Sequence, residues 1–352
     1  MKKKPNFEEI QGQLNQERKL VSFDNYDLSV RELLTMFENK DIIVPPDYQR
    51  KFIWNEDRQS KLIESIFLGI PIPNIFMATN SNSTWDIVDG VQRIGTLVHY
   101  CGSEQMLKLI KKEKNLEISH LEKFTSINEM TFSQLQRPVQ LSFYTRPVRV
   151  TVLDDKSDFG VRFDLFERLN TGGVLLSPQE IRNCVFRGDF NDDIKELARD
   201  ENFNSVVRLK PVDEHNGTRE EFVLRFFAFL DNYKYFEHSV KDFLNDYMEN
   251  NKNQKISNNK KKIFFKAFRF IKESLPGGIN RGSRNLTPVN LFEAVAVGTA
   301  LALMEKKEIS TSTLQWIVNH EELKKYITAA TNSRRMVEGR INFVKSTLLE
   351  ND

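Results

Sequence analysis

An acid, a glycine, an amide and an arginine fall within five residues at Asp89-Gly90-Val91-Gln92-Arg93. They follow a short apolar run, Trp85-Asp86-Ile87-Val88, and open a helical pattern that extends to Cys101. A strand-to-helix junction of this kind presents main-chain N–H groups to an anion. Glycine permits close backbone approach, and an arginine one turn into the helix adds a bidentate cation. The chemistry that fits is phosphate handling. Amides from Gly90 onward would hold the phosphate and Arg93 would neutralise it. Asp89 would orient a water or hold Mg²⁺, an ion that uses only one or two carboxylates beside phosphate oxygens. A second polar island, Pro45-Pro46-Asp47-Tyr48-Gln49-Arg50, lies upstream, and Gln49 and Arg50 are expected beside the Asp89 motif. Tyr48 and Trp54 read as packing residues that fix this loop. Arg168 and Asn170 precede Gly172-Gly173. They either line the same cleft or simply end a helix at a glycine cap.

The elements that must position these groups are legible in the pattern. Val30 to Asn39 reads as a helix capped by Ser29, with Glu32 at its third position. Ile42-Ile43-Val44 is a strand stopped by two prolines. Asn55 to Gly69 is an amphipathic helix with Leu62, Ile63, Ile66 and Phe67 as its apolar stripe, and that stripe is expected to pack on the sheet. Strands over Asn74–Ala78 and Trp85–Val88 flank a turn cluster and form a hairpin. Arg146 to Leu153 alternates as a strand, Phe159 to Leu169 is helical, and Ser177-Pro178-Gln179-Glu180 is a capping box with proline at the first position. Residues 104–145 read as mixed short elements. From about residue 187 the pattern is helical throughout. The predicted architecture is α+β: a polar arm over 1–24, an α/β domain over 25–185 and an all-helical domain over 186–352.

Composition narrows the function classes. The chain has 352 residues with 51 Lys and Arg against 49 Asp and Glu, a net charge of +2, which makes no global argument for nucleic acid. Local basic runs, Lys111-Lys112-Glu113-Lys114 and Lys260-Lys261-Lys262, read as solvated surface. Cys101 and Cys184 are the two cysteines, and with no CxxC spacing they imply neither a zinc site nor a disulfide framework. The residues after Met1-Lys2-Lys3-Lys4-Pro5 contain no apolar stretch, and no run is long enough to span a bilayer, so a cytoplasmic, membrane-free protein is expected. The five histidines show no ligand spacing, which leaves Asp89 as the one well-placed metal carboxylate.

The motifs also form an ordered series. Val44-Pro45-Pro46-Asp47-Tyr48-Gln49-Arg50 is followed by Trp54, by Leu62 to Pro73 and by Val88-Asp89-Gly90-Val91-Gln92-Arg93. Phe166-Glu167-Arg168-Leu169-Asn170-Thr171-Gly172-Gly173 and Leu176-Ser177-Pro178-Gln179-Glu180-Ile181-Arg182-Asn183 complete it. Over roughly residues 25–230 the series resembles the N-terminal domain family of GmrSD-type restriction endonucleases, whose signature is Asp-Gly-Gln-Gln-Arg. Relatives include effectors of phosphorothioate-sensing phage defence, and the family is placed with ParB/sulfiredoxin-like folds. Val91 stands where the signature has its first glutamine. No cysteine lies between the motif glycine and arginine, which excludes sulfiredoxin-type thiol chemistry. The histidine and asparagine spacing of the HNH nuclease fused in many relatives is not found in the C-terminal region.

The resemblance implies a nucleotide-binding, NTP-hydrolysing subunit of a DNA-directed restriction or anti-phage system. Its cofactors would be a nucleoside triphosphate and Mg²⁺, and its partners DNA and a separate nuclease subunit. Asp89, Gln92 and Arg93 would be catalytic. Gln49, Arg50, Gly90, Arg93, Arg168 and Asn170 would bind nucleotide, and Asp89 would hold the metal. Catalysis would be positional and electrostatic, as phosphoryl transfer usually is. Two alternatives stand beside it: a ParB-like switch that binds nucleotide without turnover, and a stand-alone DNA nickase.

Overall fold

The computed structural model describes residues 6–18, 22–44, 52, 54–80, 82–154, 159–169, 176–281, 285–305, 309–328 and 331–350. Gln49, Arg50, Asn170, Gly172 and Gly173 lie outside the described residues. Contacts divide the chain into two units, Met1–Leu175 and Leu176–Asp352. The Ser177 capping-box helix therefore packs with the helical unit, ten residues before the expected boundary at 185.

The first unit begins with helix α1 (Phe7–Arg18), where Phe7 and Ile10 are exposed. Next come β1 (Phe23–Ser29), α2 (Val30–Glu38), β2 (Ile42–Ile43), α3 (Glu56–Leu68), β3 (Ile75–Thr79), β4 (Trp85–Asp89) and α4 (Val91–Cys101). The short α5 (Glu104–Leu109) and α6 (Arg137–Tyr144) lead to β5 (Pro147–Leu153) and α7 (Phe159–Leu169). The local rules that predicted α2 and α3 are visible as bonds. Ser29 Oγ accepts the Glu32 N–H, Asn55 Oδ1 accepts the Arg58 N–H, and Gly69 closes α3 in the left-handed conformation at φ 70°.

Five strands among the described residues form one mixed sheet in the order β1-β5-β3-β4-β2. β3 and β4 are the expected antiparallel hairpin, while β3 with β5 and β2 with β4 are parallel. β1, which pairs antiparallel with β5, was not expected from sequence. It is an edge strand whose first five residues are exposed on both faces, so it carries no hydrophobic alternation to read. Leu62, Ile63, Ile66 and Phe67 of α3 share one core with Ile75, Met77, Ile87, Val148 and Val150 of the sheet, as the stripe predicted. That core also buries Ile94, Leu97 and Val98 of α4, which fixes the motif helix against the strand that precedes it.

The second unit is helical. It comprises α8 (Pro178–Val185), α9 (Asp189–Leu197), α10 (Glu201–Val206), α11 (Thr218–Asn232), α12 (Val240–Asn251) and α13 (Asn258–Ser274). α14 (Val289–Phe292) runs through a π-helical turn, Glu293–Val297, into α15 (Gly298–Glu305). α16 (Thr311–Ile317), α17 (Glu321–Ile327) and α18 (Arg334–Glu350) follow. Its centre is aromatic: Phe203, Phe226, Phe264, Phe268 and Phe292 make edge-to-face and tilted contacts at centroid distances of 4.5 to 6.4 Å. A buried ionic chain runs beside them. Arg182 and Arg225 bond Glu221, Arg225 bonds Glu293, and Glu293 bonds Arg340. Arg182 and Asn183 are buried members of this unit, with Arg182 Nε donating to Asn245 Oδ1 at 2.8 Å. No described helix is long and apolar enough to cross a membrane.

Candidate functional site

The strand-to-helix junction is built by a slip in register. Phe76 pairs with Asp89 and Met77 with Ile87, so Val88 has no residue opposite it. Such a bulge re-aims the side chain that follows it. Asp86, Ile87 and Val88 are buried, whereas the Asp89 side chain is 28% exposed. Gly90 then turns the chain at φ 108°, a conformation that strains any residue with a β-carbon. A β-carbon there would also stand 3.0 Å from the Ile75 side chain. No side chain makes a capping hydrogen bond to α4 at Gly90, at the positive end of the helix.

Arg93 does not stand on the surface. Its residue exposure is 8%, and its Nη2 donates both to Asp89 Oδ2 and to the Asn74 carbonyl, the latter at 3.0 Å. An arginine so buried is part of the fold as well as of the motif. Asp89 and Arg93 instead form a partly buried ion pair that ties the first turn of α4 to the residue before β3. The other carboxylate oxygen of Asp89 makes no hydrogen bond among the described residues. It is the group left to orient a water or a cation.

Gln92 faces a different element. Its Oε1 accepts the Trp54 N–H at 3.1 Å, and the Trp54 carbonyl accepts from Gln59 Nε2 at 2.7 Å. Because Gln59 donates through Nε2, its Oε1 accepts from the Nδ1–H of His99, 2.8 Å away. Gln92 and His99 lie two turns apart on α4, so the chain of bonds clamps Trp54 and α3 along that helix. Burial, followed by the charge of Lys112, lowers the His99 pKa to about 4, which keeps its ring neutral. Trp54 is covered on one face by the Arg58 guanidinium, 4.3 Å from the ring, in keeping with the packing role expected of it. This clamp was missed in sequence reasoning. Its only trace there was Gln92 itself, since no local pattern pairs residues 54, 59 and 99.

Val91 points to neither partner. It lines an apolar cavity of about 290 Å³ with Phe37, Ile42, Phe52, Gly95 and Ile110. Gly95, one turn further, admits the Phe52 ring, and a β-carbon there would come within 2.5 Å of it. Valine at this position thus belongs to an apolar surface. Cys101, which sequence reading set aside for catalysis, has its thiol pKa raised by burial and its Sγ on the Leu97 carbonyl at 3.2 Å. Arg168 is exposed in the last turn of α7, and no described bond joins it to the Asp89 motif. Glu180 closes the predicted capping box with Ser177. Among the described residues no three His, Cys, Asp or Glu side chains converge as a metal cluster.

Of the expected site residues, the structure therefore brings together Asp89, Gly90, Gln92 and Arg93, and adds Asn74, Trp54, Gln59 and His99 as their supports. Neither a curated protein nor a solved structure matches the chain. The family model described as GmrSD restriction endonuclease, N-terminal domain, matches residues 31–187, a span that holds β2 to β5, the Asp89 motif and the whole clamp. Over residues 31–187 the chain is thus similar to the N-terminal domain of the GmrSD restriction endonuclease family.

Proposed function

We propose that the chain is a nucleotide-responsive component of a DNA restriction system, with the nucleotide phosphates seated at the start of α4. The family match supports the restriction context. The observation that carries the nucleotide reading is the Asp89–Arg93 pair at a helix start faced with glycine. Backbone N–H groups at a helix N-terminus attract phosphate, and Gly90 adds no side chain of its own to that turn. Arg93 supplies positive charge from beneath. Its partner Asp89 keeps one oxygen for a water or for Mg²⁺ on the phosphates. Gln92 is a positioning residue: through Trp54 it holds the segment that follows Gln49 and Arg50 against the motif helix. Hydrolysis of the nucleotide would then gate cleavage by a separate nuclease subunit acting on DNA.

A second reading, a switch that binds nucleotide without turnover, is favoured by one observation. Asp89 already spends an oxygen on Arg93, which leaves it a single oxygen with which to orient a water. Phosphate release from each nucleoside triphosphate with Mg²⁺, measured with and without duplex DNA beside equilibrium binding, separates the two. Turnover lost in an Asp89→Ala protein that circular dichroism shows to be folded supports the enzyme. Binding without turnover supports the switch, and the absence of both contradicts the nucleotide reading. A plasmid assay on the same protein tests the third possibility. Nicking by wild type that Asp89→Ala loses would make the cleft itself a nuclease.

A further inference from the structure

The outward stripe of α13 has a charge that the rest of the chain does not share. This helix holds six Lys or Arg among 17 residues against the single acid Glu273, while the whole chain is only +2. Its inner face is core: Phe264, Phe268 and Ile271 are buried. Two of its lysines serve the fold, Lys260 on Asp231 and Lys261 on Asp193, each at 2.6 Å. The solvated-surface reading of that run therefore fails for these two, which are ion-pair partners. Lys262, Lys266, Arg269 and Lys272 are exposed and succeed one another at three- and four-residue steps, with the half-exposed Phe265 among them. Lys262 and Arg269 make no ion pair among the described residues.

We infer that this stripe is a docking surface for the phosphate backbone of duplex DNA, an inference that rests on the reading that the chain acts on DNA. The cations run along one side of the helix for about 15 Å at 1.5 Å per residue. Each strand of a duplex presents one charge per about 3.4 Å of axis, so the stripe spans about four phosphates of one strand, enough to occupy four cations. The exposed ring of Phe265 gives the guanidinium and ammonium groups an apolar edge and reads no base. The surface therefore positions DNA without specifying sequence. An anionic membrane fits less well. An interfacial helix must offer lipid an apolar face, and the apolar face of α13 is buried in its own unit.

The test is fluorescence anisotropy of the full chain with a labelled duplex across a salt series. Lys262→Ala/Arg269→Ala is expected to reduce the slope of log K against log salt by about two, and Lys262→Glu/Arg269→Glu to weaken binding about tenfold or more. The charge-matched surface control Lys108→Glu/Lys114→Glu is expected to change neither, and nucleotide binding is expected to be equal in all four proteins. Wild type and stripe variants binding DNA alike would overturn the surface while leaving the DNA reading intact. No DNA binding by wild type in any nucleotide state would overturn both. Loss of binding to phosphatidylserine vesicles, with DNA binding kept, would overturn it in favour of a lipid surface.

Discussion

The side-chain oxygen of Gln92 accepts the main-chain N–H of Trp54 at 3.1 Å, joining the first turn of the motif helix to the segment just before α3. A motif glutamine is readily taken for a ligand contact. Here it holds main chain, and the bond extends through Gln59 to His99 further along the same helix.

Gln92→Ala is expected to lower the unfolding free energy by about 1–2 kcal/mol, the cost of leaving a partly buried N–H unsatisfied. Gln92→Glu keeps an acceptor at the same place and is expected to recover most of that loss. Urea denaturation checks both. Equal stability of wild type and the alanine variant would show that the bond holds nothing.

Asp89 and Arg93 should behave as a coupled pair. Asp89→Ala leaves a buried guanidinium without its counter-charge, a class of change that costs about 3–5 kcal/mol. Arg93→Met loses the same partner from the more exposed side and is expected to cost less. The double variant should be more stable than the sum of the two losses implies. A double-mutant cycle by denaturation reads the coupling, and strict additivity would mean that the pair is not formed in solution.

The clamp should be sensitive to acid. The folded pKa of His99 lies at about 4, below its ordinary value of 6.5, because burial disfavours the imidazolium. Between those values the unfolded chain binds the extra proton, so stability rises with pH. The contribution is complete above about pH 6.5 and is lost as pH falls toward 4. His99→Gln can still donate to Gln59 and cannot titrate. Its melting temperature should decline less than that of wild type between pH 7 and pH 4.5. Parallel profiles would place the acid sensitivity elsewhere.

The sequence revealed the parts of this site that depend on neighbours in the chain. The hairpin of β3 and β4, the Asn55 and Ser29 caps, the glycine end of α3 and the position of α4 follow from alternation, capping and turn chemistry, which act over a few residues. Two features did not follow. Arg93 was read only as a cation for phosphate, because a helix pattern does not reveal that the Asn74 carbonyl comes within 3.0 Å of it. The edge strand β1 was missed because its exposed residues carry no burial pattern, and its pairing with β5 is a contact between residues more than a hundred positions apart. The Val91 departure also changed meaning. It reads in sequence as a missing amide, and in the fold as one wall of an apolar cavity.

The seating of phosphate at the start of α4 is tested most directly by calorimetric titration of the full chain with nucleoside triphosphates and Mg²⁺, comparing Val91→Gln with Val91→Glu. The two side chains have nearly the same shape and differ in charge at the first residue of the helix. Val91 is only partly buried at the cavity wall and an acid in that turn suits the helix dipole, so both variants are expected to fold. If phosphate binds there, Val91→Gln should bind one nucleotide per chain at least as tightly as wild type. Val91→Glu should bind about tenfold more weakly or not at all. Equal affinity of the two variants, or no binding by wild type, would contradict the account.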